Sequence, residues 1–325
     1  MIKVRLDRGP ALDLAEGVTV AEALRALNAS SDKVVVAARL DGAAVDLSRR
    51  LNADCTLTPI RVNTPEGLEI MRHSASHIMA EAVRGLFPGV KVAIGPAIES
   101  GFYYDFDVLQ AFTPEDLAQI EARMAQLVAQ DLPFSREEVS KEKAATLFGN
   151  QGETYKVELI GEIPDDQVSL YRQGDFVDLC RGPHVPSTGY IGAFKLTGIS
   201  GAYWRGDERQ PMLQRIYGTA FPTPQELARH LELLEEAKRR DHRRLGRELG
   251  LFSIEEEAGP GMVIYHPKGA LLRSIIEDFE RREHLRRGYQ MVMGPQMLKA
   301  DLWQRSGHLD HYRDHMYFAE VEGTL

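Results

Sequence analysis

Cysteine is scarce in this 325-residue sequence. Cys55 and Cys180 stand far apart, which excludes the disulfide framework that staples small secreted domains and leaves either thiol free for other chemistry. Long apolar runs are missing too. No stretch approaches the roughly 20 residues that cross a bilayer, and the opening MIKVRLDRGP carries alternating charge where a secretory signal needs an apolar core. A cytoplasmic protein without membrane contact is expected. An excess of positive charge is also lacking: 39 Lys and Arg face 48 Asp and Glu, for a net charge of -9. That excludes a general nucleic-acid coat, whose affinity comes from neutralising phosphates over a broad surface, and leaves only a local basic patch.

What is present is the composition of a folded protein, 43% apolar and 27% charged, at a length that suits two or three domains. Ile2, Val4 and Leu6 alternate with Lys3 and Arg5 in strand periodicity, Arg8-Gly9-Pro10 forms a turn, and Ala11 to Leu14 returns as a second strand. Thr19 and Glu22 form a capping box ahead of Ala21, Ala23, Leu24 and Leu27, so a helix starts there. Val34 to Leu40 and Cys55 to Val62 read as two further strands. This order, at this size, is that of a ubiquitin-like β-grasp module over residues 1–62, a fold that by itself assigns no activity.

Thr64-Pro65 opens a helix whose stripe is Leu68, Met71, Ala75, Ile78, Ala82 and Leu86, stopped by Phe87-Pro88-Gly89. Gly-punctuated strands then alternate with helices, expected over Leu117 to Val128 and Glu137 to Phe148, in an α+β domain over residues 63–221. Thr223-Pro224-Gln225-Glu226 launches a linker helix over residues 222–245 that runs on to Arg244. Its basic end, Lys238 to Arg244, suits the helix macrodipole, with phosphate contact as the functional alternative. A helix from Lys268 to Arg286 and an apolar strand from Tyr289 to Met293 follow. Met316 to Leu325 reads as an interrupted strand, so the chain is expected to stop inside a domain.

His73 and His77, four apart on a helix, share one face at a spacing suited to two ligands or two proton-transfer groups. His311 and His315 repeat that spacing, and the second pair reads as accidental. Cys180-Arg181-Gly182-Pro183-His184 adds a thiol and an imidazole within a Gly-Pro turn. Three histidines and a cysteine either hold a tetrahedral Zn²⁺ or activate water and orient an ester without metal; spacing leaves both open. Taken singly, His77 reads as a core histidine, Tyr104 as a packing aromatic, Lys156 as a surface cation and Cys180 as a small apolar residue.

HSASH (His73 to His77), IGPAIESGFYYDFD around Tyr104, GETYK ending at Lys156 and DLCRGPH (Asp178 to His184) together resemble the editing domain of threonyl-tRNA synthetases. GAYWRGD (Gly201 to Asp207) and LQRIYGTA (Leu213 to Ala220) resemble the same family, and the first 62 residues are similar to its TGS domain. GPGMVIYHPKGALLRSIIEDFERRE followed by GYQMVMGPQM, beginning at Gly259, resembles motif 1 of a class II synthetase catalytic domain.

The resemblance implies a multidomain α+β chain: a β-grasp TGS module, an α+β editing domain, a linker helix and, over residues 246–325, the truncated start of an antiparallel-sheet class II domain. It implies hydrolysis of tRNA(Thr) mischarged with serine. Serine and threonine differ by one methyl, a discrimination of only ~10 to 200-fold, which calls for a second hydrolytic sieve. His73, His77, Lys156, Cys180 and His184 occupy the family's catalytic positions, and Tyr104 and Asp178 its substrate-binding ones. His73 and Lys156 would position water and the terminal ribose, and Asp178 the serine amine. No metal is expected for editing, with His73, His77, Cys180 and His184 as zinc ligands in the alternative.

Beyond Pro295 neither an R-x-E loop nor a Gly-rich strand ending in arginine appears, so no ATP-binding residues and no aminoacylation by this chain are expected. His308, His311 and His315 lack the cysteine context of the family's catalytic zinc site. ATP with magnesium, zinc, and a homodimer through motif 1 belong to the full-length enzyme; Leu272, Ile275, Ile276 and Phe279 serve either that contact or an ordinary core. This chain would bind the tRNA(Thr) acceptor end, weakly and with strong salt sensitivity. Two competing readings are a non-catalytic tRNA acceptor-binding module and a zinc-dependent deacylase.

Overall fold

The alternation at the amino terminus produces β1 (Ile2–Leu6), which pairs antiparallel with β2 (Leu12–Leu14). This computed structural model describes residues 1–325 except 8, 10, 30–32, 260, 296 and 320–325, so most of the Arg8-Gly9-Pro10 turn lies outside the described residues. Thr19 caps α1 (Val20–Ala26) through the expected reciprocal box with Glu22. β3 (Val35–Leu40) turns through Asp41 and Gly42, both at positive φ, into the short β4 (Ala43–Val45). β5 (Cys55–Arg61) runs parallel to β1 and completes a sheet of order β2-β1-β5-β3-β4. One face buries Val4, Leu24, Val35 and Leu57. The other sends Val36, Ala37 and Ile60 into the core of the region that follows.

α2 (Pro65–Leu86) starts where expected, with the Thr64 hydroxyl accepting from Gly67 N–H. It is buried almost all round, because the first sheet, a second sheet and the helix over Pro114–Ala129 all press on it. Gly67 permits that closeness: a Cβ there would lie 2.0 Å from the Arg61 carbonyl oxygen. Next come β6 (Lys91–Val92), β7 (Ala97–Ile98), β8 (Gly101–Asp107) and α3 (Pro114–Ala129). β9 (Ser135–Ser140), α4 (Lys141–Asn150), α5 (Thr154–Glu162), β10 (Gln167–Gln173) and β11 (Phe176–Leu179) follow, then β12 (Ala193–Tyr203) and β13 (Met212–Phe221). The central sheet has the order β12-β13-β8-β6, with β7 added beside β8, and α2 and α3 cover it. A three-stranded sheet, β11-β10-β9, packs on α4 and α5 through Val139, Phe148, Ile160, Val168 and Leu170. Arg215 locks β13 to β8 by two bonds to the buried Asp105, at 2.7 and 2.8 Å.

The chain divides into a unit of residues 1–235 and a second of 236–325. α6 (Pro224–Arg239) is capped by Thr223. The second unit holds α7 (His242–Glu248), the hairpin β14 (Phe252–Ile254) and β15 (Val263–Tyr265), α8 (Pro267–Arg286), α9 (Ala300–Arg305) and α10 (His308–Tyr312). Among the described residues no helix is long and apolar enough to cross a membrane.

Three expectations need correction, and one alternative falls away. The helix expected from Glu137 begins only at Lys141: Ser135–Ser140 is recruited into the ladder with β10, and Ser140 then caps α4. The linker helix does not run on to Arg244. It ends at Arg239, and Asp241 starts a new helix by accepting from Arg243 N–H. Tyr289 to Met293 is not a strand, since no described strand lies beside it to complete a ladder. Leu272, Ile275, Ile276 and Phe279 are each about half exposed, so they build no core within the described residues. Of the strand expected from Met316, residues 316–319 are irregular and the rest lies outside the described residues.

Candidate active site

Helical spacing does what it promised for His73 and His77: both project from one face of α2, with ring centroids 5.0 Å apart. Opposite them, the chain leaves β11 through Cys180-Arg181-Gly182-Pro183-His184. Gly182 takes a φ of +71°, and a Cβ there would fall 1.9 Å from the Tyr171 hydroxyl oxygen, so glycine alone lets this turn close. The turn brings His184 Nε2 to 3.3 Å from Cys180 Sγ, and His73 Nε2 reaches the same sulfur at 3.0 Å. Gly182 N–H donates to that sulfur at 3.2 Å. His184 is stacked against Phe134, with ring planes 2° apart.

Ser74, beside His73, decides the His184 tautomer. Its hydroxyl donates to the Ile70 carbonyl at 2.8 Å and accepts from Val185 N–H at 3.1 Å. The remaining lone pair faces His184 Nδ1 at 3.0 Å, which therefore carries the proton. His184 Nε2 is left as a bare acceptor turned toward Cys180.

A second group of side chains abuts the imidazoles. Tyr104 from β8 donates to Asp178 Oδ2 at 2.6 Å and accepts from Lys156 Nζ at 2.9 Å. Lys156, from α5, also pairs directly with Asp178, and both side chains are almost wholly buried. Lone burial of either charge would be prohibitive; mutual pairing offsets it. His77 Nδ1 stands 3.7 Å from Asp178 Oδ2, too far for a hydrogen bond, and has no partner among the described residues.

Burial is the largest influence on the titrating groups here. It lowers His73 below its ordinary value against the opposing pull of Asp178, and holds His77 and His184 well below it, so all three are neutral at pH 7. It pushes the Cys180 thiol up to about 12 and the Tyr104 hydroxyl well above its usual value. The site thus presents neutral imidazoles, an unionised thiol and a hydroxyl that stays protonated.

A cavity of about 340 Å³, bounded by Ala44, Glu69, Ile70, Pro96 and Pro183, opens on His73. A larger one of about 730 Å³, lined by Leu159, Ile163, Leu179 and Arg181, also reaches Cys180. Another, about 960 Å³ beside Arg39, Arg72 and Phe221, borders none of the site residues; size does not mark the chemistry here.

The donor atoms of His73, His77, Cys180 and His184 all lie within 4.8 Å of one another. Ligands of a tetrahedral zinc at its usual bond lengths are separated by about 3.3–3.6 Å, so small movements would fit the set to that ion. The bare Nε2 of His184, with Nδ1 held by Ser74, suits a ligand in the same way. His308, His311 and His315 are exposed on α10 and the turn after it.

All seven residues singled out from the sequence, His73, His77, Tyr104, Lys156, Asp178, Cys180 and His184, therefore meet in one place. Ser74, Phe134, Tyr171, Gly95 and Asp46 escaped notice. Ser74, inside the HSASH string, and Gly95, inside IGPAIESGFYYDFD, carried a signal that could have found them.

Residues 168–217 match the family model described as the threonyl and alanyl tRNA synthetase second additional domain. A threonine–tRNA ligase of Pelobacter propionicus is 58% identical over 99% of this chain and 50% of the relative. Those of Citrifermentans bemidjiense and Oleidesulfovibrio alaskensis are 56% and 54% identical over the same shares. The chain matches the amino-terminal part of the bacterial threonine–tRNA ligase. It spans about half the length of the curated relatives it matches. The matched family segment takes in β10, β11 and the Cys180–His184 turn, together with Asp178.

Proposed function

We propose that this chain is the proofreading part of a threonine–tRNA ligase and hydrolyses the ester of tRNA(Thr) wrongly charged with serine. The observation that carries the reading is the convergence of His73, which borders a cavity, and the Cys180–His184 turn with the buried Lys156-Tyr104-Asp178 group behind them. The parent enzyme would join threonine to tRNA(Thr) using ATP and magnesium, with a zinc ion of its own and a homodimer contact near α8. Residues 1–62 would be its TGS module, whose mixed five-stranded sheet around α1 suits a β-grasp. Residues 63–221 would be the editing domain and 246–325 the start of the class II domain.

In this reading the terminal ribose and its seryl ester enter over His73. Neutral His73, at the pocket mouth, accepts a proton from water as that water attacks the ester carbonyl, and the proton passes to the ribose oxygen as its bond to the acyl carbon breaks, releasing serine and the free ribose hydroxyl. Lys156 orients the ribose and, with Tyr104, places positive character near the oxygen where negative charge develops. Asp178 receives the serine amine, exchanging part of its bonding to Lys156 and Tyr104 for that contact. The unpartnered Nδ1 of His77 supplies a further polar group beside Asp178 for the substrate. Threonine would be turned away by its added methyl in a pocket walled with tightly packed rings.

One second reading has an observation behind it. The clustered donor set of His73, His77, Cys180 and His184 would hold zinc, which supplies a Lewis acid and an activated water when bound. Seryl-tRNA(Thr) hydrolysis by this chain, with His73→Ala as the control, tests the first reading. Equal slow decay of the ester with and without the chain would move the assignment to a non-catalytic acceptor-binding module.

A further inference from the structure

Asp46 belongs to the amino-terminal sheet, directly after β4, yet both of its carboxylate oxygens are spent on the pocket. One accepts from His184 N–H at 2.8 Å and the other from the Tyr171 hydroxyl at 2.6 Å. Tyr171 in turn touches the Cys180–His184 turn twice. Its ring lies 4.5 Å from the His184 ring, and its hydroxyl occupies the space that only a glycine at 182 leaves open. Ala44, on β4 itself, forms part of the lip of the cavity that opens on His73.

We infer that Asp46 is a positioning residue for the hydrolytic pocket, so that the amino-terminal module is a working part of that pocket and not merely an attached one. This inference rests on the proofreading reading for its kinetic consequence, but not for its structural one. The Cys180–His184 turn has one flank on α2, through Ser74, and the other on Asp46. Ser74 fixes the His184 ring and the following backbone N–H. Asp46 fixes the backbone of His184 itself and, through Tyr171, the wall behind Gly182. Without the carboxylate, a buried N–H loses its partner and the His184 end of the turn loses its attachment to the amino-terminal sheet. His184 Nε2 and Cys180 Sγ then drift together relative to His73, and geometry at this scale governs rate more than binding.

The chemistry of the side chain makes the inference separable from simple loss of folding. Asparagine at 46 keeps a carbonyl oxygen for His184 N–H and offers its amide to the Tyr171 hydroxyl, which then accepts instead of donating. Alanine keeps neither.

The test uses the whole chain with Asp46→Ala, Asp46→Asn and Tyr171→Phe, read in two ways. Steady-state hydrolysis of seryl-tRNA(Thr) should lose about 10- to 100-fold in kcat for Asp46→Ala with KM nearly unchanged. Asp46→Asn should stay within about threefold of the parent, and Tyr171→Phe should fall between. Independently of any ester, alkylation of Cys180 by iodoacetamide, followed by peptide mapping, should quicken about tenfold in Asp46→Ala as the turn loosens and the thiol meets water. An unaltered Cys180 rate in Asp46→Ala overturns the inference whatever the ester shows. So do equal losses of kcat in the Ala and Asn variants, or a loss confined to KM. A parent chain that leaves the ester intact while Cys180 still responds to Asp46→Ala refutes the proofreading reading and leaves the positioning role standing. Where Asp46→Ala fails to fold, Asp46→Asn against Tyr171→Phe decides: parent-like Cys180 alkylation in both variants overturns the inference.

Discussion

The hydroxyl of Tyr104 donates a 2.6 Å hydrogen bond to the carboxylate of Asp178, in a place where neither group meets water. Lys156 binds the same hydroxyl, so the phenol sits between a buried cation and a buried anion. Burial and the adjacent carboxylate hold the hydroxyl well above its usual value, and it remains a donor at any pH the fold survives. Tyr104→Phe leaves one Asp178 carboxylate oxygen without its hydroxyl donor. The variant should lose about 1–3 kcal/mol of stability in urea unfolding and at least tenfold in ester hydrolysis.

Gly95 sets the position of that ring. A Cβ at 95 would lie 2.0 Å from the Tyr104 ring edge, and the ring is fully enclosed. Gly95→Ala should therefore cost about 1–3 kcal/mol and displace Tyr104 from Asp178. A variant as stable as the parent, with unchanged hydrolysis, would show that the ring has room to yield.

Stability should depend on pH through His77 and His184. Both are held neutral by burial, below the 6.5 of a free imidazole. The sign follows from proton uptake: below about pH 6.5 the unfolded chain binds protons that the folded chain refuses. Stability present above that pH is lost as pH falls toward the depressed folded values, at about 1.4 kcal/mol per pH unit for each histidine. Urea unfolding of chelator-treated protein between pH 7 and 5 measures the slope, and His184→Asn should make it shallower.

Hydrolysis should survive dialysis against a chelator. The Lys156-Tyr104-Asp178 group and neutral His73 together hold the charge and proton-handling parts that the reaction needs. Activity lost to the chelator and restored by one zinc per chain, with Cys180→Ala unable to recover, would favour the zinc reading instead.

The caps and turns were legible because they are local. Thr19 with Glu22, Thr64 with Pro65, and Thr223 with Glu226 each start a helix where the residues predict it. So was the pairing of His73 with His77, fixed by helical pitch. Ser135–Ser140 was not legible, because its charged residues suit a helix and only the ladder with β10 makes it a strand. The break at Asp241 was hidden for the opposite reason: a basic run on either side masks the side chain that caps the next helix. At the site, motif resemblance found the residues that touch one another but not Asp46, which lies 138 positions from His184 and acts only through the folded meeting of two regions. Ala43–Val45, the strand that delivers it, is too short to show periodicity.

The most direct measurement is the hydrolysis rate of seryl-tRNA(Thr) beside that of threonyl-tRNA(Thr) by this chain, with His73→Ala alongside. Selective, His73-dependent loss of the seryl ester is the predicted result. Equal decay of both esters, at the same rate in the variant, would contradict the account.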